Sequence, residues 1–99
     1  MIDLSAIEGF DWDDGNARKS LDKHGVTQAE AEQVFAGEPL LAEDFKHSQA
    51  EVRFQALGET VEGRRLHVSF TLRSSGKKIR VISARDMNHK ERANYEQET

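Results

Sequence analysis

The 99-residue chain has no cysteine and a single proline, Pro39. Without cysteine there is no disulfide framework and no thiolate metal site, and the composition suits a reducing cytosol. No apolar run approaches the roughly 18 residues a membrane-spanning helix requires. The opening MIDLSAIEGF lacks the basic-then-apolar order of a secretory signal, so a cytoplasmic protein with no membrane partner is expected. Internal repeats and low-complexity tracts are absent. Aromatic residues are few, at 7%, and charged ones make up 32%. The apolar residues nevertheless come in periodic groups, which separates the chain from disordered sequences. Its length suits one compact domain with one modest core, here taken as 1–99 with 1–9 as an N-terminal extension.

Charge of one sign is scarce in each half. The net charge of −4 divides into four cations against twelve carboxylates over 1–51, and ten cations against six carboxylates over 52–99. Such asymmetry fits a polyanionic partner on one face, or simply an uneven solvated surface.

Local patterns give the elements. FDWD (10–13) alternates aromatic and acid as a short half-buried strand does. Asp13 or Asp14 can cap a helix over GNARKSLDKHG, with Ala17, Leu21 and His24 on its inner face and Gly25 as its left-handed end. TQAE from Thr27 is a capping box that opens a second helix to about Ala36, with Ala31, Val34 and Phe35 as its buried stripe. Gly37 and Pro39 stop it, and 40–51 reads as a short extended piece and a loop. Strands follow at 52–57, 66–73 and 79–84, joined by turns at EGR (62–64) and SSGKK (74–78). A last helix begins near Asn88, where Glu91 completes another capping box. Strands joined by short turns form an antiparallel meander, and the two early helices are expected to cover its apolar face. The fold class is α+β, with the other sheet face open.

On that open face alternation places His67, Ser69, Thr71 and Arg73, joined by Arg53 and Gln55, and by Arg80 if its strand keeps the same period. Several guanidinium forks converging there would make a phosphate cradle. An ordinary solvated sheet face carries the same residue types. IRVISARDMNHKER (79–92) adds Arg85, Lys90 and Arg92 at and beyond the last strand.

Four histidines, His24, His47, His67 and His89, titrate near neutrality when unperturbed, and a pair such as His24 and His67 could serve as base and acid in RNA cleavage. His24, beside Lys23 at a helix end, also suits a capping role. No ligand spacing points to a metal or any other cofactor. Trp12 packs under the sheet edge or stacks on a base; Tyr95 reaches the open face or pins the last helix.

These landmarks, in this order, resemble the BrnT toxin family of bacterial type II toxin–antitoxin modules. The matching stretches are FDWD, NARKSLDKHGV, EAEQVF, EVRFQALG, GRRLHVSFTLR, IRVISAR and KERANYE, spanning roughly 9–97. The resemblance implies a RelE-like fold, a small twisted antiparallel sheet with helices mainly on one face. It implies an endoribonuclease that arrests translation and growth, and a BrnA-like ribbon-helix-helix antitoxin that neutralises it. Operator DNA would be met only through the antitoxin, and a homodimer is allowed.

Metal-free RNA cleavage needs in-line attack by the ribose 2′-hydroxyl, stabilisation of the charged transition state and a proton for the leaving 5′-oxygen. Arg53, Arg73, Arg80 and Arg85 are the expected stabilisers, Arg85 foremost. His67 leads the proton-transfer candidates, ahead of His24 with Lys23 and Tyr95. Lys23, His24, Lys90 and Arg92 are expected to hold substrate. The rival is a non-catalytic module, a degenerate toxin or corepressor, that binds RNA or antitoxin and releases no product.

Overall fold

In the last strand Ile79, Val81 and Ala84 are buried against Leu66, Val68 and Phe70 of its neighbour, and this pairing is the centre of the core. The fold is taken from a computed structural model that describes residues 2–99; Met1, the first residue of the expected extension, lies outside them. Five strands, β1 (Gly9–Phe10), β2 (Leu40–Glu43), β3 (Phe54–Glu59), β4 (Arg65–Arg73) and β5 (Lys78–Asp86), form one sheet in the order β1-β5-β4-β3-β2.

The three-strand meander forms as expected, with β2 added antiparallel to β3. The sheet is not wholly antiparallel, however: β1 pairs parallel to β5 through Gly9–Lys78 and Phe10–Ile79. The expected strand at 10–13 is therefore displaced, and only Phe10 of FDWD is in it. Asp11 donates one further amide to the Ile79 carbonyl (2.8 Å) before the chain turns into a helix.

That turn explains a second departure. Asp13 caps α1 (Asp14–Ala17), which runs through Arg18 into α2 (Lys19–His24), and Gly25 ends it at φ 66°. The inner face is Asn16 and Ser20, not Ala17, Leu21 and His24; Leu21 is 46% exposed. Because β1 is so short, the outer edge of β5 beyond Ile79 has no strand to pair with. Asn16 Nδ2 donates to the Val81 carbonyl (2.9 Å) and the Ala84 amide donates to Ser20 Oγ (2.8 Å). Buried backbone groups demand partners, and polar side chains supply them where apolar ones cannot. The α1–α2 segment thus closes a sheet edge, and α3 (Gln28–Ala36) covers the apolar face with Ala31, Val34 and Phe35.

The remaining helix, α4 (His89–Glu98), starts at the expected Asn88–Glu91 capping box but buries no residue. It crosses the far end of the opposite face, where Asn94 and Glu98 flank Leu57. The helices are therefore not confined to one side. The Arg65 guanidinium fastens α4 to the β3–β4 hairpin, bonding Glu59 (3.1 Å) and Glu96 and lying 5.6 Å from the Tyr95 ring centroid.

Candidate active site

Between α4 and the 44–53 loop the uncovered part of the sheet forms a cleft of about 380 Å³. Its floor is His67 and Ser69 from β4, Gln55 from β3, and Ser83 and Arg85 from β5. Strict alternation along β5 would put Arg80 and Arg85, five residues apart, on opposite faces. A bulge prevents this. Ser69 pairs with Ser83 but Phe70 with Val81, so Ile82 is an extra residue and the parity of β5 reverses there. Ala84 turns into the core, and Ser83 and Arg85 turn out beside His67.

Arg85 meets Glu91 of α4 in a fork, Nη1 to Oε1 at 2.7 Å and Nη2 to Oε2 at 2.9 Å, and Nη1 also donates to the Asp86 carbonyl at 3.1 Å. Burial pushes the Glu91 carboxyl up, but the Arg85 fork and the Asn88 amide outweigh it and hold it below the usual range. His67 Nε2 lies 3.7 Å from the same carboxylate. Only 7% exposed, His67 is pushed down by burial first and by the Arg85 charge second, against the pull of Glu91. Burial and Arg85 thus disfavour its charged form.

The opposite wall carries a second histidine–carboxylate pair. Asp44 is buried, caps the short 3-10 turn Phe45–His47, and lies 2.9 Å from His47 Nδ1. Burial opposes ionisation of Asp44, yet bonds from His47 and Gln55 lower it overall. A carboxylate on Nδ1 leaves the other ring nitrogen, Nε2, free of that contact. Arg53 and Lys19 complete the lining. Among the described residues neither cation has a carboxylate partner.

Of the expected site residues, Arg53, His67 and Arg85 come together. Arg73 and Arg80 share the face but lie outside the cleft. Arg80 is held by Asp13 (3.0 and 3.1 Å) and Asp11 (3.5 Å), and Arg73 by Glu51 (2.9 Å). The four guanidinium groups therefore do not meet at one point. Tyr95 sits over Arg65 at the outer hairpin, where burial pushes its hydroxyl pKa up. Lys23, His24, Lys90 and Arg92 are exposed and do not line the cleft; His24 and Arg92 instead act on Asp86. Trp12 is pinned by its indole N–H on Glu32 (2.7 Å) and stacked on Phe10.

Lys19, Asp44, His47 and Glu91 were missed as site residues. Glu91 was visible only as a cap, and nothing local in DFKH sets His47 apart from a surface histidine. Arg64 escaped notice too. It binds Asp86 (2.7 and 3.1 Å), Glu30 (3.2 Å) and the carbonyls of His24 and Gly25, tying the ends of α2, α3 and β5 together.

The family described as ribonuclease toxin, BrnT, of type II toxin–antitoxin system matches residues 12–91. The chain belongs to the BrnT family. That match runs from Trp12 to Glu91 and so contains every residue lining the cleft. The fold agrees with it: the structure of the Brucella abortus ribonuclease toxin BrnT superposes with a TM-score of 0.58 at 22% identity, covering 82% of this chain and 97% of that one. No curated protein matches the sequence. Membership in a type II toxin–antitoxin family entails an antitoxin partner. No helix among the described residues is long and apolar enough to cross a membrane.

Proposed function

We propose that this toxin is a RelE-like, metal-independent endoribonuclease of the cytoplasm that arrests translation, and that a BrnA-like ribbon-helix-helix antitoxin neutralises it and carries it to operator DNA. The observation that carries the reading is one cleft holding two histidine–carboxylate pairs, His47–Asp44 and His67–Glu91, with Arg53 and Lys19 unpaired beside them.

In this reading the scissile phosphate rests on Arg53 and Arg85, whose fixed charge meets the extra negative charge of the transition state. One neutral imidazole takes the proton of the ribose 2′-hydroxyl as its oxygen bonds to phosphorus. The other, protonated, gives a proton to the departing 5′-oxygen, leaving a 2′,3′-cyclic phosphate and a free 5′-hydroxyl. His67, whose charged form burial and Arg85 disfavour, is the base, and Glu91 steadies the imidazolium it becomes; His47, held at Nδ1 by Asp44, is the acid. Arg73 and Arg80 act outside the reacting group by holding Glu51 and the Asp11–Asp13 segment, and Tyr95 by holding α4. Lys23, Lys90 and Arg92 offer exposed charge, and His24 an exposed polar ring, to RNA that extends beyond the cleft.

Incubation of excess toxin with RNA in EDTA tests this directly. Cyclic phosphate ends support the reading, and loss of cleavage on chelation overturns its metal-independent part. The carboxylates on Arg73, Arg80 and Arg85 favour a second reading, a binding module without turnover. It predicts salt-sensitive RNA retention with intact RNA recovered.

A further inference from the structure

His47 and Arg53 line two depressions. Behind the wall they form lies a second recess of about 280 Å³, otherwise lined by Lys46, Gln49, Ala50 and Glu51. The loop around it is braced from within. Ser48 Oγ donates to the Asp44 carbonyl (2.5 Å) and accepts from the Arg53 amide (2.9 Å), and Thr71 Oγ1 donates to the Val52 carbonyl (2.8 Å). Glu51, the one carboxylate of the recess, is drawn onto Arg73 at 2.9 Å, so its charge is compensated. Among the described residues Lys46 has no ion-pair partner, and the Gln49 amide bonds nothing else in the chain. Phe45, on the turn that leads into this loop, is 81% exposed, and a phenyl ring left in water gains from any flat apolar partner.

We propose that the 45–53 loop is a second nucleotide subsite, which receives the base adjoining the scissile phosphate of single-stranded RNA while that phosphate lies on Arg53 between the two depressions. The assignment rests on the ribonuclease reading and adds to it a substrate class and a source of base preference. An amide offers a donor and an acceptor together, so Gln49 can match the edge of one base better than another. Only an unpaired, splayed nucleotide presents that edge, which excludes duplex RNA. Lys46 meets the next phosphate as a point charge. Phe45 supplies a stacking surface that accepts any base, because each has a π-face.

The two side chains therefore leave different signatures. A randomised single-stranded RNA is cut by the parent and by Gln49→Ala, Phe45→Ala and Phe45→Trp, and the new ends are sequenced. The parent is expected to favour certain bases at one position beside the cut, and Gln49→Ala to flatten that preference. Phe45→Ala is expected to slow cutting about tenfold at every sequence, from the loss of one stacked base, and Phe45→Trp to restore it. Both positions are on the surface loop, and circular dichroism with thermal melting verifies that the variants fold like the parent. Parental cutting with the base preference unchanged in Gln49→Ala, or with the rate unchanged in Phe45→Ala, overturns the subsite and leaves the ribonuclease reading standing. A parent that cuts nothing overturns both.

Discussion

Arg85 and Glu91 close a two-bond fork, at 2.7 and 2.9 Å, between the floor of the cleft and α4. The carboxylate takes two of the five guanidinium N–H donors and the Asp86 carbonyl a third, which leaves the remaining two for a phosphate, and α4, with no buried residue, is tied down by ion pairs from Arg85 and Arg65. His67, near both partners, reports on the balance between them. Arg85 lowers its pKa and Glu91 raises it.

Arg85→Gln is expected to raise the His67 pKa and Glu91→Gln to lower it further below the ordinary value of about 6.5. Glutamine keeps the capping geometry at position 91, so the second variant should fold. NMR titration of the His67 ring proton reads both shifts; movement in the same direction would remove the electrostatic coupling. Cleavage by Arg85→Gln should fall about 100- to 1,000-fold, the usual cost of one transition-state donor.

Arg53 and Arg80 should separate function from stability. Arg53→Ala removes an unpaired cation and is expected to cut activity by a similar 100- to 1,000-fold factor while the melting temperature stays unchanged. Arg80→Ala strands Asp13, whose carboxyl the Arg80 fork holds below its usual range, and leaves the cleft intact. It should retain most activity and lose little stability, as solvent-screened pairs do. Abolished cleavage in folded Arg80→Ala would return that residue to the reacting group.

Gly58 owes its identity to the helix above it. A Cβ there would lie 2.9 Å from Val34 Cγ1 and 3.4 Å from the Val34 carbonyl. Gly58→Ala is therefore expected to destabilise by about 1–3 kcal/mol through overpacking. Val34→Ala alone should cost a similar amount by leaving a cavity, and the double variant should cost less than the sum. Additive losses in urea denaturation would show that the close approach is not the cause.

Acid should weaken the fold through the Arg64 hub. Glu30 is lowered chiefly by the Thr27 amide and then, against burial, by Arg64; Asp86 is lowered chiefly by Arg64. A depressed carboxyl contributes stability that is complete above its unfolded pKa, near 4, and is lost as pH falls through the lower folded value. His67 adds loss on the same side. Its folded pKa is depressed, so the unfolded chain takes the proton first as pH falls through about 6.5. Stability measured by denaturant should decline from near pH 6.5 downward. Arg64→Gln should be less stable at pH 7, by about 1–3 kcal/mol, and flatter below pH 4, where the parent loses what the variant already lacks.

The sequence by itself determined whatever depends on neighbours along the chain. The boxes at Thr27–Glu30 and Asn88–Glu91 and the left-handed Gly25 are read from a few residues, because caps close over three or four positions. The period-two run of β4 fixed which of its side chains face the core, and His67 came out on the correct side. Tertiary structure decided everything that joins distant segments. Alternation alone could not bring Arg80 and Arg85 to one face; the Ile82 bulge did, flanked by Asn16 and Ser20 bonding β5 from 65 and 64 residues away, respectively. Nor could it foresee that carboxylates from Asp13, Glu51 and Glu91 would claim Arg80, Arg73 and Arg85 and leave Arg53 and Lys19 unpaired. Pairing of charges depends on distance in space, and local periodicity carries no information about that.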